Sequence, residues 1–149
     1  MDILEASSEH LDVLVPLFDS YRVFYRRPSD RAGARRFLAD RMARKESVIY
    51  LAIVETAGAG FVQLYPSFSS ASMQGLWILN DLYVASNARR QGAGQALLAR
   101  ARRLAEETGA KGLTLSTAID NTPAQHLYES EGWIRDREFC VYTLSTTSL

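Results

Sequence analysis

The sequence has almost no cysteine, little lysine and no net charge. A single cysteine, Cys140, excludes an internal disulfide and a metal site built from cysteines alone, and no metal is expected. No apolar run approaches the roughly 20 residues that a membrane helix requires, so no membrane partner is expected. The opening MDILEASSEHLDVL carries acids where a signal peptide carries basic residues, and a cytoplasmic protein is expected. Basic and acidic side chains number 17 each, which argues against a general nucleic-acid binder. Lys45 and Lys111 are the only lysines; the other fifteen basic residues are arginines, a bias that GC-rich coding produces together with many alanines.

What is present reads as a globular domain. The chain has 149 residues, 47% apolar and 23% charged, which suits one domain over residues 1–149. A short strand is expected at residues 2–6. Ser8 should cap a helix whose inward face is Leu11, Leu14, Val15 and Phe18. Ser29 or Asp30 should cap a second helix with Phe37, Leu38 and Met42 inward. Residues 47–54 (SVIYLAIV) read as a buried strand. A turn is expected at 56–60, then a strand at 61–65 stopped by Pro66, and a longer strand at 76–84. Residues 92–108 form a helix with a stripe of Leu97, Leu98, Ala101, Leu104 and Ala105, ended by Gly109. A strand at 111–116, a helix at Thr122–Ser130 and a final strand at 138–144 complete the order β-α-α-β-β-β-α-β-α-β. The strand–helix–strand unit at 76–116 implies a parallel crossover, and the remaining sheet should be antiparallel hairpins. The expected class is a mixed α/β sheet, mostly antiparallel, with about four helices. Cys140 falls in the last strand and reads as core.

The most informative stretch is Arg89-Arg90-Gln91-Gly92-Ala93-Gly94-Gln95, lying between a strand and a helix. The first turn of a helix has unpaired N–H groups and partial positive charge. Gly92 and Gly94 let a bulky anion approach the backbone, and Arg89 and Arg90 add formal charge. From Leu82 to Ala105 there are five arginines and no acid. Arg100, Arg102 and Arg103 read as a solvated helix face. The Gly-Lys-Ser/Thr ending of a nucleoside-triphosphate loop is missing, and the turn lies past the midpoint, unlike that of a dinucleotide fold. The expected anion is therefore a diphosphate carried by another cofactor.

A second constellation runs from Asp120 to Trp133. Asn121 or Thr122 can cap a helix, Pro123 suits its first turn, and Gln125 completes a possible capping box with Thr122. Ala124 and Tyr128, four apart, share a face, and Gly132 ends the helix. His126 points elsewhere and reads as a surface residue.

Together the two stretches resemble the GNAT superfamily of N-acetyltransferases. Arg89, Gly92 and Gly94 match its Arg/Gln-x-x-Gly-x-Gly/Ala motif. Asn121, Ala124, Tyr128, Gly132 and Trp133 are similar to its Asn-x-x-Ala-x-x-x-Tyr-x-x-x-Gly-aromatic segment. The phrase LNDLYV, residues 79–84, also resembles a strand of polyamine acetyltransferases, although those carry an acid where this chain has Asn80. The resemblance implies acetyl-CoA as donor and a splayed parallel pair formed by residues 76–84 and 111–116. It implies that pantetheine pairs with the backbone at Leu82, Tyr83 and Val84, and that the pyrophosphate sits on Arg89 to Gly94, with Gln95 beside them. Asn121 would bond the pantetheine arm, with Ala124 on the same helix, and Tyr128 would be the general acid. It further implies a homodimer.

The residues suit that chemistry. A neutral amine attacks the thioester carbonyl, the N–H groups near Tyr83 and Val84 are candidate oxyanion donors, and the departing thiolate needs a proton. A phenol with a pKa near 10 supplies one. Asp81 reads either as the base, directly or through a water, or as a structural hydrogen-bonding residue. In an extended strand Asp81 and Tyr83 share one face, and Asn80, Leu82 and Val84 the other. The acceptor is expected between the first two helices and a loop at 66–75, whose serine-rich part at 67–72 is expected to be mobile and to close over substrate, with Tyr21, Tyr25, Tyr65, Asn80 and Asp81 in contact and Asp19, Phe68 and Trp77 available. The run Tyr21 to Arg27 is aromatic and basic: either a solvated arginine face, or a place that welcomes an acceptor with a carboxylate, such as an amino acid or a peptide end. The partner is thus a small-molecule or peptide amine, with a non-catalytic acyl-CoA sensor as the alternative.

Overall fold

The sheet grows from successive hairpins. In the computed structural model, which describes residues 1–147, β1 (Asp2–Glu5) pairs antiparallel with β2 (Val48–Val54), and β2 with β3 (Ala57–Ser69). β3 pairs antiparallel with β4 (Gln74–Val84), and β5 (Leu113–Thr114) lies parallel to β4. The order β1-β2-β3-β4-β5 is the mixed, mostly antiparallel sheet with one parallel pair that the sequence implies. Among the described residues four α-helices accompany it: α1 (Leu11–Phe24), α2 (Arg31–Ala43), α3 (Ala93–Glu107) and α4 (Thr122–Ser130). The chain divides into two compact units, Met1–Ser116 and Thr117–Leu149.

In the first unit, α1 and α2 cover one face of the sheet. Leu14, Val15, Phe18 and Leu38 pack there on Ile49, Leu51 and Phe61. α3 serves the opposite face, where the Arg100 guanidinium lies 4.4 Å from the Tyr50 ring centre. Its stripe of Leu97, Leu98, Ala101, Leu104 and Ala105 is buried throughout, as its 3–4 spacing requires. Each such leucine contributes about 1.5–3 kcal/mol on burial.

Register in β3 and β4 positions the site. Gln63 stands opposite Asp81, yet Leu64 stands opposite Leu79, so Asn80 is an extra residue in β4. This is a β-bulge. Opposed residues share a face, so Asp81 and Tyr83 join Gln63 and Phe61 on the helix α1 side. Leu79 and Leu82 join Leu64 and Val62 on the α3 side. The expected pairing of Asp81 with Tyr83 holds, but Asn80 sits in the bulge rather than in the row of Leu82 and Val84.

Several expected boundaries are corrected. β3 does not stop at Pro66 but continues to Ser69. Its pairing with β2 ends at Leu64, so Pro66 lies where β3 has one neighbour and no N–H is needed on the other side. The expected loop at 66–75 shrinks to the tip between β3 and β4, closed by Met73 N–H donating to the Ser70 carbonyl at 3.2 Å. The turn expected at 56–60 is a two-residue hairpin, Glu55–Thr56, with Glu55 at φ 59°. Ser7, not Ser8, precedes the first helical turn, its N–H donating to His10 Nδ1 at 2.9 Å. β5 is shorter than the expected 111–116, and its ladder with β4 ends at Ile78↔Thr114.

In the second unit no strand forms at 138–144 among the described residues. The side chain of Asp136 accepts from the N–H groups of Glu138 and Phe139, at 2.9 and 3.2 Å, bending the chain where the strand was expected. High β-propensity does not make a strand without a paired neighbour. Cys140 is exposed, not core.

Candidate functional site

Asp81 is the only carboxylate buried in β4, at 4% exposure. Its Oδ2 accepts from Gln63 Nε2 at 2.5 Å and its Oδ1 from Asn80 Nδ2 at 2.9 Å. Each carboxylate oxygen keeps capacity for a further donor. Gln63 is fully buried, and its Oε1 has no partner among the described residues. The Tyr21 hydroxyl donates to the Asn80 carbonyl at 3.5 Å and reaches the Asp81 carboxylate. Burial first, then the Asp81 charge, pushes the Tyr21 phenol far above its ordinary range. The same causes in the same order push Tyr65 up to about 12. Both phenols therefore stay protonated and act near neutrality as neutral hydrogen-bonding groups.

Asp81 opens onto a cavity of about 380 Å³. Phe18, Phe37 and Tyr65 supply its apolar lining, and Arg22, Asp30 and Asn80 its further polar groups. The Phe18 and Phe37 rings stack, with centroids 5.9 Å apart. Asp30 Oδ1 accepts from Gly33 N–H at 2.9 Å and so caps α2. Of the acceptor residues expected from sequence, Tyr65, Asn80 and Asp81 line this cavity. Tyr21 stands beside it, and Tyr25 packs on Tyr21 with ring centroids 5.0 Å apart.

Three residues offered for the acceptor side are committed elsewhere. Asp19 accepts from Ser29 Oγ at 2.7 Å and from Asp30 N–H at 2.8 Å, tying the α1–α2 connection. The Ser29 bond, against the opposing effect of burial, holds its carboxyl below the usual range. Trp77 Nε1 donates to Thr108 Oγ1 at 3.0 Å, at the far end of α3. Phe68 is exposed near the β3–β4 tip. Sequence reasoning missed Gln63, Phe18 and Phe37. Gln63 had a visible signal: a polar residue inside the otherwise apolar strand FVQLY.

At the end of β4, Leu82, Tyr83 and Val84 are half-buried, and the chain turns through Ser86–Ala88 into α3. Gly92 is the N-cap of α3 with φ 85°, a left-handed conformation that disfavours any side chain. The first helical bond runs from Ala96 N–H to the Gly92 carbonyl at 3.0 Å. Ala93, Gly94 and Gln95 therefore belong to the first turn, whose N–H groups have no partner within the helix. Arg89, Arg90 and Gln91 are exposed beside that turn. Arg89 Nε also donates to the Val84 carbonyl at 3.2 Å, fastening the turn to the strand. Backbone donors, two guanidinium groups and no carboxylate from Leu82 to Ala105 fit a diphosphate.

In the second unit, Asn121 caps α4, its side chain accepting from Ala124 N–H at 3.3 Å. The amide –NH₂ of Asn121 is left over from that role. Gln125 does not form a capping box with Thr122; its Nε2 donates to the carbonyls of Ala118 and Ile119, each at 3.0 Å. Tyr128 is half-buried, its ring 6.0 Å from that of Trp133. Gly132, at φ 92°, ends the helix.

The model of the acetyltransferase (GNAT) family matches residues 14–133. The chain is 46% identical over 145 residues to an uncharacterized N-acetyltransferase, YhfO, of Bacillus subtilis (strain 168), covering 97% of each. It is 31% identical over 134 residues to a probable acetyltransferase of Haemophilus influenzae, covering 89% of this chain and 90% of that one. The crystal structure of a probable acetyltransferase superposes with a TM-score of 0.95 at 50% identity over all of both chains. A match from residue 14 to 133, with a relative nearly half identical from end to end, makes the assignment: the chain belongs to the acetyltransferase (GNAT) family.

Proposed function

We propose that the protein uses acetyl-CoA to acetylate a primary amine, in a small molecule or a lysine side chain, by direct attack of the amine on the thioester. The observation that carries this reading is the Gly92 turn, where glycine geometry, backbone donors, Arg89 and Arg90 converge at the start of a 15-residue helix. When bound, acetyl-CoA supplies an activated acetyl carbonyl and a thiolate leaving group. The diphosphate would rest on Arg89, Arg90, Gln91, Gly92, Ala93, Gly94 and Gln95. Leu82, Tyr83 and Val84 would present backbone groups to the pantetheine, with Asn121 and Ala124 contributing from α4. Asp81 would take the proton the amine must lose, directly or through a water, while Tyr21, Tyr25, Tyr65 and Asn80 orient the acceptor. Tyr128 would protonate the leaving thiolate.

Residues 1–149 would work as one acetyltransferase domain; the family match, which crosses from the first compact unit into the second, supports that reading. A cytoplasmic homodimer is the expected form. Exposed Phe139, Val141, Tyr142 and Leu144 support self-association, which sedimentation of Phe139→Ser/Val141→Ser against the parent checks.

Tyr128→Phe tests the mechanism. Turnover, read as free thiol release, should fall roughly 10²-fold while acetyl-CoA affinity and the circular dichroism spectrum are retained. Unchanged turnover removes Tyr128 from the chemistry. Tight acetyl-CoA binding by the parent chain, with no thiol release across a broad amine panel, marks a sensor instead.

A further inference from the structure

The Asp81 cavity holds charges of both signs, and that mixture bears on what it accepts. Arg22, on the last turns of α1, lines the same cavity as Asp81 and Asn80. Its Nη1 donates to the Pro28 carbonyl at 3.0 Å, which holds the guanidinium across the α1–α2 connection. Arg22 has no ion-pair partner among the described residues. Asp19 feels its charge, but both Asp19 oxygens are taken by Ser29 and Asp30. Asp30, also on the lining, spends Oδ1 on the cap of α2. A half-buried, oriented and unpaired arginine is a receptor for a planar anion, which it grips through two parallel N–H donors.

The same cavity also holds a receptor for an amine. Asp81 offers remaining lone pairs on both oxygens, and Asn80, donating through Nδ2, keeps its Oδ1 as an acceptor. Phe18, Phe37 and Tyr65 form apolar walls for a side chain. The volume of about 380 Å³ falls at the small end of ligand pockets, which run from about 300 to 1,000 Å³.

We propose that the acceptor is a free amino acid with an apolar or aromatic side chain, its amine at Asp81 and Asn80 and its carboxylate at Arg22. This rests on the acetyltransferase reading and narrows it. A polyamine would place its second cation against Arg22, and like charges in a site of this kind repel.

Matched acceptor pairs test the proposal: L-phenylalanine with phenethylamine and L-leucine with 3-methylbutylamine, with spermidine as a polycationic acceptor. Thiol release gives kcat/KM for each. Arg22→Gln should lower kcat/KM for the amino acids at least tenfold more than for their decarboxylated partners, chiefly through KM, and Arg22→Lys should restore part of the difference. Comparing the two proteins cancels differences in amine basicity between acceptors. Equal losses for both members of a pair, or spermidine as the best acceptor, overturn the proposal and leave the acetyltransferase standing. Calorimetry of L-phenylalanine on the CoA-loaded protein separates the two ideas. Binding that Arg22→Gln weakens, without turnover, supports the amino-acid site and counts against the enzyme. Neither binding nor turnover of any amino acid overturns the proposal.

Discussion

Asp81 and Asp19 are both buried carboxylates in the first unit, and their surroundings give them different work. Asp19 is enclosed by donors from its own connection and holds α1 to the start of α2. Its folded pKa lies below the unfolded value, so it adds stability above about pH 4, and this is lost as pH falls through the folded pKa. Ser29→Ala should therefore cost about 1.5–3 kcal/mol at pH 7 and progressively less as pH falls below about 4, as urea unfolding along a pH series would show. Asp81 instead keeps acceptor capacity toward the cavity while Gln63 fixes its direction. Gln63→Met removes that donor but also removes the unpartnered buried Oε1. Stability should change by no more than about 1 kcal/mol while turnover drops about tenfold, a separation that paired unfolding and rate measurements would reveal. Asn80 and Asp81 were visible in the sequence as cavity candidates because they stand in LNDLYV, and Tyr65 because it adjoins the segment expected as a loop from Pro66. Phe18 and Phe37 were not, since a core aromatic and a cavity-lining aromatic look alike until the neighbouring helix is placed.

At the scale of elements, two glycines act for opposite reasons. A Cβ on Gly60 would lie 2.6 Å from the Tyr83 carbonyl oxygen, so β3 and β4 approach too closely for a side chain there. Gly60→Ala should destabilise the protein by about 1–3 kcal/mol in urea unfolding. Gly92 has room, its nearest neighbour being Gln95 Oε1 at 3.7 Å, but its φ of 85° is costly for any other residue. Gly92→Ala should cost about 1 kcal/mol and weaken CoA binding in calorimetry, because the entry to α3 is displaced. The helices were legible from their apolar stripes and caps. Strand ends were harder, because they depend on neighbours: Pro66 is tolerated because β2 has already ended, and residues 138–144 have strand composition without a strand to pair with.

Over the whole molecule, a formal charge of zero conceals an uneven distribution, with five arginines and no acid from Leu82 to Ala105. The chain should pass a polyanion column without retention, yet its Kd for CoA should rise several-fold as sodium chloride increases from about 50 to 500 mM. Screening shortens the Debye length below about 5 Å at the upper concentration. The bulge at Asn80 has a different kind of consequence. Along β4 it resets the odd–even count, so the stretch before it obeys the rules of a leucine layer and Asp81 can face the cavity. Deleting residue 80 would make Leu79 and Asp81 successive residues, which alternate in any regular strand, so both would keep the layers they occupy now. The sheet could therefore close over its register without position 80, and what the extra residue adds lies at the cavity, where Asn80 meets Asp81.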